Sequence, residues 1–589
     1  MGKDIGNGEL QTLEERTGIH ECSTKTKASP AFEEVLDAIG SRGKFQTRLN
    51  IVFVCFASCF DLMSVNMFYL AMQTPDHWCY VPGRELSNLS VEEWKNLTIP
   101  REGASFSKCL MYNRSDVTDF GGSREPVKCQ HGWEYDDTWF SLTVTSQMNW
   151  VCDNRQAVND VFFYSQIIGV ALGLLFGYIG DMYGRRPQQL LCLSAHVVSR
   201  VLVVLAPHVL PLFILAASLV SAATGPMVES VLSVGLELTD IKHRTAINCY
   251  ASCSMALGVM LAGLELTDIK HRTAINCYAS CSMAAGVVLA GLVSWALPNW
   301  NYSLSFAALS CFALFFFFSW FPESPRWLAC RGREQEALAV VRRIAATNGS
   351  TVPPFALQVI QTVGKSKTDR RGFLSIFSSF NLVRNTTLLI IARSVHLLAI
   401  YSLVIAVSRL SANPFLGIVA QGAAKLPAHF MVNYFAARFG RRWPSVGSAL
   451  LAALASLLIF CLLTEHIAGA AIVMATMLMQ FSAVAGMGMA NLQSIELHPT
   501  CLRQIATGVE YAIAGISMSS LPYLALMNDK RLPFAILCAL ELMVAFSVSF
   551  LPESAMQRLP ETLRDGAVFG RGQPYWSWKP KPPLQYATG

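Results

Sequence analysis

Long apolar runs separated by polar segments dominate the amino-acid sequence. Twelve of these runs are long enough to cross the hydrocarbon core of a bilayer as α-helices. Because lipid offers open backbone groups no hydrogen-bond partners, the runs are predicted to be helical throughout. A further run, at 246–264, is doubtful as a span. The twelve predicted spans are residues 49–71, 161–180, 188–207, 209–233, 274–297, 303–321, 386–408, 414–436, 445–464, 467–491, 505–527 and 532–551.

Polar segments divide the spans into two groups of six. Residues 73–157 form a long polar loop after the first span, and residues 334–346 combine helical apolar spacing with charges on the opposite face. That spacing predicts an amphipathic helix between the two groups. The predicted fold class is an all-α membrane protein with twelve transmembrane helices in two six-helix halves. The predicted regions are an N-terminal segment (1–48), a first half (49–321), a linker (322–384), a second half (385–551) and a tail (552–589).

Composition excludes several other classes of protein. Hydrophobic residues make up 52% of the chain and charged residues 15%, which excludes a disordered chain and differs from an ordinary soluble enzyme. The sequence has neither a Walker-type motif nor the common hydrolase motifs. We therefore expect no enzyme activity, no ATP-driven transport, and no cofactor or metal ion.

Basic residues in the short loops predict the orientation of the chain. Arg185, Arg186, Arg441 and Arg442 fall on one side of the predicted membrane, which the positive-inside tendency assigns to the cytoplasm. Both termini are then cytoplasmic, the 73–157 loop is extracellular, and the plasma membrane is the expected location. The net charge of +6 follows from this distribution, so no nucleic-acid partner is expected.

The 73–157 loop has the features of a segment exposed to the secretory lumen. Four cysteines in an oxidising compartment predict two disulfides, with three possible pairings. The loop also contains three Asn-x-Ser/Thr acceptor sequences for N-glycosylation. The cysteines are Cys79, Cys109, Cys129 and Cys152, and the acceptor asparagines are Asn88, Asn96 and Asn113.

Three charged motifs occur twice in the same order along the chain. Such repetition predicts two six-helix halves related as parallel repeats. The first motif is a Gly-Arg-Arg turn, which in the first half closes the pattern G-x-x-x-D-x-x-G-R-R at 177–186. The three pairs are 184–186 with 440–442, 237–244 with 496–503, and 322–324 with 552–554.

A second repeat is much more recent. Residues 235–262 and 263–290 are the same 28-residue string, with differences at only two positions. The distance between motifs in the first half exceeds that in the second by about one copy, and an extra span would reverse the orientation of everything after it. Only one copy is therefore expected to act as helix 5. The other is an artefact, a mutually exclusive exon read twice, or a segment displaced from the bundle.

Taken together, these motifs resemble those of the organic cation/anion/carnitine transporter family within the major facilitator superfamily. The large cysteine-bearing first loop favours this family, because sugar porters share the Pro-Glu-Ser-Pro-Arg motif at 322–326. The resemblance implies a polyspecific carrier, secondary-active or facilitative, that moves small organic ions by alternating access, with the coupling ion left open. A sugar-porter-like carrier, a non-transporting paralogue and a membrane receptor are the alternatives. The resemblance is carried by residues 43–46, 79, 133–136, 150–152, 177–187, 237–244 (or 265–272), 321–328, 426–428, 496–500 and 559–562.

Residues of the repeated motifs are candidates for gating. Ion pairs among them at the inner end of the bundle would hold the outward-open state shut on that side and break as the carrier opens inward. The alternative is that they are topological anchors with no gating role. The candidates are Asp181, Gly184, Arg185, Arg186, Glu237, Arg244, Glu265, Arg272, Glu323, Arg326, Glu496 and Arg503.

Ionisable side chains inside membrane spans are energetically costly and therefore indicate function. Lys425 and Glu510 could pair across a central cavity, or either could bind a charged substrate. The resemblance implies an acidic residue at position 425 and a charge-selecting residue at position 515, and this chain has Lys425 and Gly515 instead. It also implies that Tyr401 lines the cavity. The substrate-binding candidates are Asp61, Tyr401, Lys425, Glu510 and Gly515, and Glu229, Arg393, His396 and Glu541 also lie in spans.

Overall fold

Twelve long helices, α1 to α12, make up most of the described part of the molecule. The computed structural model describes residues 35–36, 38–40, 43–87, 89–103, 105–113, 125–237, 274–365, 373–410, 413–465, 469–499, 503–525, 527, 529–555, 557, 560, 563–573 and 575. The helices are α1 (Lys44–Ala71), α2 (Gln156–Tyr183), α3 (Arg185–Leu205), α4 (Leu210–Glu237), α5 (Ala274–Ala296), α6 (Trp300–Trp320), α7 (Phe380–Leu410), α8 (Pro414–Phe439), α9 (Arg442–Thr464), α10 (Ala470–Leu497), α11 (Arg503–Ser517, continued by Leu521–Ala525) and α12 (Leu532–Val548).

Each predicted span overlaps one of these helices. Within the described residues, nine helices are long and apolar enough to cross a membrane on those grounds alone. Helices α5 and α12 contribute shorter apolar stretches, Ser282–Ala296 and Leu532–Val548. The doubtful run at 246–264 lies outside the described residues.

Three of the helices are irregular. The first contains a π-helical stretch, Asn50–Ala57, and α6 finishes as the 3₁₀ segment Leu314–Trp320. In α11 the 3₁₀ turn Met518–Ser520 interrupts the α-helix. Pro522 follows this turn and has no N–H to donate, so it cannot continue the hydrogen-bond ladder.

The tandem repeat contributes to α4 and α5. Helix α4 ends at Glu237, the third residue of the first copy, and α5 begins at Ala274, inside the second copy. Residues 238–273 lie outside the described residues. The expectation that only one copy acts as helix 5 therefore stays a prediction, and in this structure the second copy supplies that helix.

Three small antiparallel sheets and two disulfides organise the 73–157 loop. Strand β1 (His77–Cys79) pairs with β6 (Trp133–Tyr135), so the two ends of the loop meet. Strands β2 (Arg101–Glu102) and β3 (Ser105–Phe106) form a hairpin, and β4 (Leu110–Tyr112) pairs with β5 (Pro126–Lys128). The short helix Val91–Thr98 begins with a capping box in which Ser90 and Glu93 satisfy each other's backbone N–H groups.

Helices of the linker pack against the segment before α1. They are Pro325–Cys330, Glu334–Asn348 and Ala356–Lys365, and the second lies where the sequence predicts an amphipathic helix. Asn348 links the two regions, because its amide donates to the carbonyls of Ile39 (3.1 Å) and Gly40 (2.8 Å) and its oxygen accepts from the Phe45 N–H (3.0 Å).

The two ends of the helix bundle differ in packing. We call the end that carries the 73–157 loop the loop end, and the end with the Gly-Arg-Arg turns the motif end. The largest buried core contains residues of both halves, including Met67 of α1, Leu403 of α7 and Phe415 of α8 near the loop end. At the motif end, the described cores contain residues of one half each: residues 35–360 in one core, and residues from 376 onward in two others. The halves thus share a core on the loop side but not at the motif end.

Candidate functional site

Glu323 caps the start of α3 at the motif end of the first half. Its carboxylate accepts hydrogen bonds from the backbone N–H groups of Arg185 (2.7 Å), Arg186 (3.1 Å) and Ser324 (3.0 Å). Gly184 permits this approach, because its φ is +115° and a Cβ at this position would collide with the carboxylate. A carboxylate at a helix N-terminus also interacts favourably with the helix dipole.

Glu553 does the same at the start of α9 in the second half. It accepts from the backbone N–H groups of Arg441 (2.9 Å), Arg442 (3.1 Å) and Ala555 (2.9 Å). Gly440 precedes them with a φ of +90° and has the same close approach to the carboxylate. We call Glu323 with residues 184–186 the N clamp, and Glu553 with residues 440–442 the C clamp.

A side-chain ion pair lies beside the C clamp. Arg441 donates from Nε (3.0 Å) and Nη2 (2.9 Å) to the two carboxylate oxygens of Glu496, and both side chains are only 12% exposed. The Ser554 hydroxyl also donates to Glu496 (2.7 Å). This two-pronged geometry is the strong form of an Arg–carboxylate pair.

The structure changes the predicted gating network. Side-chain pairs were expected for Glu323, whereas its described bonds are to backbone N–H groups within its own half. Asp181 lies in the last turn of α2, Glu237 at the end of α4, Arg503 at the start of α11, and Arg326 on the helix Pro325–Cys330. Arg244, Glu265 and Arg272 lie outside the described residues.

A buried polar cluster joins α1, α3 and α4 in the first half. Asp61 is fully buried, with Oδ1 3.0 Å from His196 Nε2, and it accepts a hydrogen bond from the Thr224 hydroxyl (3.1 Å). Arg200, one turn after His196, donates to the hydroxyl (2.8 Å) and the carbonyl (2.9 Å) of Ser64. Asp61, a predicted substrate residue, thus contacts other helices of its own half.

A second cluster joins α7 and α11 in the second half. Glu510 accepts a hydrogen bond from Arg393 Nη2 (3.0 Å), and its other oxygen lies 3.7 Å from His498 Nε2. The Arg393 guanidinium also lies 4.0 Å from the ring centroid of Tyr511. Glu510 therefore pairs with Arg393 rather than with Lys425, which corrects the pairing considered from the sequence.

Two further in-span charges also pair with each other. His396 of α7 and Glu541 of α12 are fully buried, and His396 Nδ1 lies 3.1 Å from Glu541 Oε1. Lys425, in the middle of α8, differs from all of these. It is 8% exposed, and among the described side chains no acidic group lies within ion-pair distance of it.

Contacts between the halves seal the loop side of the bundle. Tyr401 of α7 lies 5.4 Å from Tyr69 of α1, measured between ring centroids. Helices α5 and α8 approach closely at two glycines, since a Cβ on Gly291 would lie 3.0 Å from the Phe415 carbonyl oxygen and one on Gly422 would lie 2.8 Å from the Val288 nitrogen. The loop itself joins this seal through Phe140, whose ring centroid lies 4.9 Å from that of Phe415.

Gly515 also lies where the two halves meet, and its described contact is apolar. A Cβ on this residue of α11 would lie 2.6 Å from a methyl carbon of Val170 on α2, in the other half. A larger side chain at this position would therefore require the Val170 side chain or one of the two helices to shift. The close approach of two helices explains a glycine here without reference to substrate charge.

The structure selects one of the three disulfide pairings. Cys79 is bonded to Cys129, and Cys109 to Cys152. The acceptor residues Asn96 and Asn113 are exposed, and Asn88 lies outside the described residues. Glycosylation of these asparagines stays a prediction.

Several polar residues of the membrane helices were missed in the sequence, among them His196, Arg200 and Gln421. His196 and Arg200 lie inside the run 188–207, and the rule that singles out ionisable residues in spans would have found both. Gln421, one turn before Lys425, is uncharged, and its burial and lack of partners are visible only in three dimensions.

Comparison with known families agrees with this geometry. A family model described as "Sugar (and other) transporter" matches residues 144–564. The chain belongs to this family. Individual relatives of this transporter match over almost its whole length. Solute carrier family 22 member 7 of Rattus norvegicus is 29% identical over 91% of this chain and 98% of its own. Solute carrier family 22 member 1 of Bos taurus is 28% identical over 90% of this chain and 92% of its own length. The carcinine transporter of Drosophila melanogaster is 25% identical over 98% of this chain and 85% of its own length.

These relatives confirm the resemblance to the organic ion transporters.

Solved structures show the fold of this transporter. The proton:xylose symporter XylE, bound to 6-bromo-6-deoxy-D-glucose, superposes with a TM-score of 0.55 at 13% identity, over 91% of this chain and 99% of that one. The xylose transporter XylE of E. coli in a partially occluded inward open conformation has a TM-score of 0.55 at 14% identity, over 88% and 99%. The predicted major facilitator fold is confirmed, and this transporter is a multi-pass membrane protein.

Proposed function

We propose that this transporter moves small organic ions across the plasma membrane by alternating access. Its relatives named solute carrier family 22 and carcinine transporter support this substrate class. We infer that both termini lie in the cytoplasm and that the 73–157 loop lies outside the cell. The short basic loops at the motif end support that orientation.

One observation carries the mechanism. The two halves share a buried core on the loop side, whereas the described cores at the motif end each contain residues of one half. A carrier of this fold alternates by rocking one half against the other around a central site. Closure at the loop end with separate cores at the motif end is the arrangement of an inward-facing state.

The clamps support a rigid-body motion of this kind. In each clamp, the carboxylate directly follows the last helix of the half whose helix N-terminus it caps, so neither clamp joins the two halves. The Arg441–Glu496 pair also lies within one half. We infer that these bonds persist through the cycle and keep each half intact, while the contacts across the loop-end seal break.

Four of the predicted substrate-binding residues in the spans then divide into two groups. Asp61 and Glu510 are engaged within their own halves, so we assign them a structural role. Tyr401 and Lys425 lie beside the interface of the two halves, on α7 and α8, and we assign them to substrate contact.

Counterflow in proteoliposomes tests the proposal. The full chain is purified, reconstituted and loaded with an unlabelled organic ion, and uptake of the same labelled ion is measured for tetraethylammonium, hippurate and carnitine in turn. A carrier gives saturable uptake that accelerates when the ion is present on the other side. A receptor, a channel or a non-transporting paralogue gives no acceleration with any of the three, and that outcome would overturn the proposal.

A further inference from the structure

Three exposed arginines surround the last turn of α6 at the motif end. Arg48 comes from the start of α1, Arg186 from the start of α3, and Arg343 from the linker helix Glu334–Asn348. Two of the guanidinium carbons lie 5.9 Å and 5.4 Å from the centroids of aromatic rings of this turn, and the third group donates a hydrogen bond to a backbone carbonyl (2.8 Å). In this order, Arg48, Arg186 and Arg343 contact Trp320, Phe318 and Ser319.

None of the three arginines has an acidic partner among the described side chains. The described acids of the linker are engaged elsewhere. Glu323 belongs to the N clamp, Glu334 accepts a hydrogen bond from Gln361 (3.0 Å), and Glu336 pairs with Arg333 (2.6 Å). The dipole of α6 favours positive charge at its C-terminal end, but three guanidinium groups exceed what one helix end neutralises. The turn is therefore a site of excess positive charge, which favours an anion.

The second half shows how the equivalent turn is covered. Counted from the repeated motifs, Ser549 corresponds to Ser319 and Arg442 to Arg186. Arg442 Nε donates to the Ser549 carbonyl (2.7 Å), and its side chain is only 4% exposed. The ring of Tyr575 lies over it, 4.6 Å from the guanidinium carbon, and the Tyr575 hydroxyl donates to the Ser549 hydroxyl (2.9 Å). The tail of the chain thus covers this turn in the second half, whereas Arg186 is exposed in the first.

The surface beside the three arginines is aromatic and faces away from the bundle. Phe316 is 74% exposed, and Phe317 and Trp320 are each 40% exposed. The predicted span of α6 ends at residue 321, so its last turn lies at the boundary of membrane and water, where rings such as that of Trp320 are enriched. A ligand at this turn meets positive charge toward the water and apolar surface toward the hydrocarbon. A phospholipid has the complementary arrangement.

We propose that Arg48, Arg186 and Arg343 bind the headgroup of an acidic phospholipid of the inner leaflet, with its acyl chains against Phe316 and Phe317. The guanidinium groups donate charge-assisted hydrogen bonds to the phosphate oxygens, and the cytoplasmic leaflet is the one rich in anionic lipids. The bound lipid links α1, α3 and the linker helix. Its place in the inner leaflet rests on the orientation inferred above, whereas binding itself requires neither that orientation nor transport.

Lipid binding to the purified full chain in detergent tests this assignment. Native mass spectrometry counts the lipids that stay bound as dioleoylphosphatidylglycerol or dioleoylphosphatidylcholine is added. Both lipids carry the same acyl chains and a phosphate, but only phosphatidylglycerol has a net negative charge at neutral pH. We expect the first phosphatidylglycerol to bind about 10- to 100-fold more tightly than phosphatidylcholine, because each basic residue near the headgroup adds to the attraction.

Variants of the three arginines locate the site. Arg48→Gln, Arg186→Gln and Arg343→Gln are each expected to weaken phosphatidylglycerol binding about 5-fold, and the triple variant roughly 100-fold. The corresponding triple lysine variant keeps the charges and is expected to retain the preference for phosphatidylglycerol, which separates loss of the site from misfolding. Arg438→Gln is the matched control. Arg438 is also exposed at the motif end and lies 5.9 Å from the ring centroid of Tyr434, but it is on α8 in the second half. This variant is expected to bind phosphatidylglycerol as the unmodified chain does.

Three results would overturn the inference. The first is equal binding of the two lipids by the unmodified chain, and the second is unchanged phosphatidylglycerol binding in the triple glutamine variant. The third is an equal rise of the thermal unfolding midpoint with inorganic phosphate and with phosphatidylglycerol, which would mean that the site holds a free anion only.

Counterflow separates this inference from the proposed function. Counterflow of an organic ion without preferential binding of phosphatidylglycerol would refute the lipid site and leave the carrier intact. Preferential binding that is lost in the triple glutamine variant, without counterflow of any ion, would support the lipid site and refute the proposed function.

Discussion

The loop end and the motif end differ in the contacts that the described residues make between the two halves. On the loop side, aromatic and small apolar residues from both halves share one core, in which Tyr69 faces Tyr401 and α5 lies against α8 at Gly422. At the motif end, each half has apolar cores of its own, and the clamp carboxylates and the Arg441–Glu496 pair add directional bonds that do not join the two halves. Apolar packing is non-directional, and charge-assisted hydrogen bonds are directional. In the proposed mechanism, the contacts that break and re-form during transport are apolar, and the directional hydrogen bonds of the clamps persist.

The largest effect on transport is expected from a change in the apolar contact between α5 and α8. In Gly422→Ala, the new methyl group would lie 2.7 Å from a Val288 methyl carbon and 2.8 Å from the Val288 nitrogen, so α8 and α5 must separate. We expect counterflow to fall by about 5- to 150-fold, since overpacking of this kind costs roughly 1–3 kcal/mol in the closed state. Hydrogen–deuterium exchange should rise in the loop-end segments of α5 and α8 and stay unchanged at the clamps.

A glycine in open space provides the control for this variant. Gly447 lies in α9, and a Cβ there would meet nothing within 4 Å. Gly447→Ala should leave counterflow and hydrogen exchange at the loop end unchanged, because it adds a methyl group without a contact. Equal behaviour of the two variants would mean that the α5–α8 approach does not control closure.

Replacement of a clamp carboxylate is expected to lower the stability of the fold. Glu323→Gln and Glu553→Gln each remove a charged acceptor from three backbone N–H groups and place an amide nitrogen against some of them. We expect each change to lower the free energy of unfolding by about 1.5–3 kcal/mol. Glu553 is buried and Glu323 is half-buried, so the second-half variant should lose more. Chemical unfolding of the purified variants provides the measurement.

An exposed glutamate provides the matched control for the clamps. Glu336 pairs with Arg333 at the surface of the linker. Glu336→Gln should change the free energy of unfolding by less than about 0.5 kcal/mol, because exposed pairs contribute little. If a clamp variant unfolded like this control, the contrast between the two ends of the bundle would be wrong.

The fold could be predicted because a membrane restricts the possible answers. A bilayer requires helices of a minimum apolar length, so the twelve runs mark the helices directly. The positions where the helices end are harder to predict from apolar length, because a helix can continue beyond the hydrocarbon core into polar residues. Helix α10, for example, runs to Leu497, past the predicted limit at 491, and so includes Glu496.

The site could be predicted only in part, for a related reason. Repetition along the sequence identified Glu323 and Glu496 as members of a network. Their partners depend on which backbone groups a turn exposes, and the Gly184 conformation that presents the N–H groups to Glu323 is not visible in a motif. The partner of Glu510 depends in the same way on the packing of α7 against α11, which brings Arg393 rather than Lys425 to it.

The smallest expected change in stability comes from an ion pair in the 73–157 loop, between Asp76 and Lys108. This pair tests whether polar contacts contribute little at the loop end, where apolar packing joins the two halves. Burial by itself would raise the pKa of Asp76, but the Lys108 ammonium, 2.5 Å away, outweighs it, and the net pKa lies below the ordinary value. The unfolded chain therefore binds this proton more readily, so the pair stabilises the fold above the ordinary aspartate pKa and is lost as the pH falls through the lowered value. Both side chains are more than half exposed, so the contribution is below about 1 kcal/mol. Asp76→Asn should lower the unfolding midpoint slightly at pH 7, and the difference should vanish in acid and in high salt. If the difference in unfolding midpoint between Asp76→Asn and the unmodified chain grew in acid, Asp76 would act through contacts other than this ion pair. Polar contacts would then contribute more to the stability of the loop end than the apolar packing described above implies.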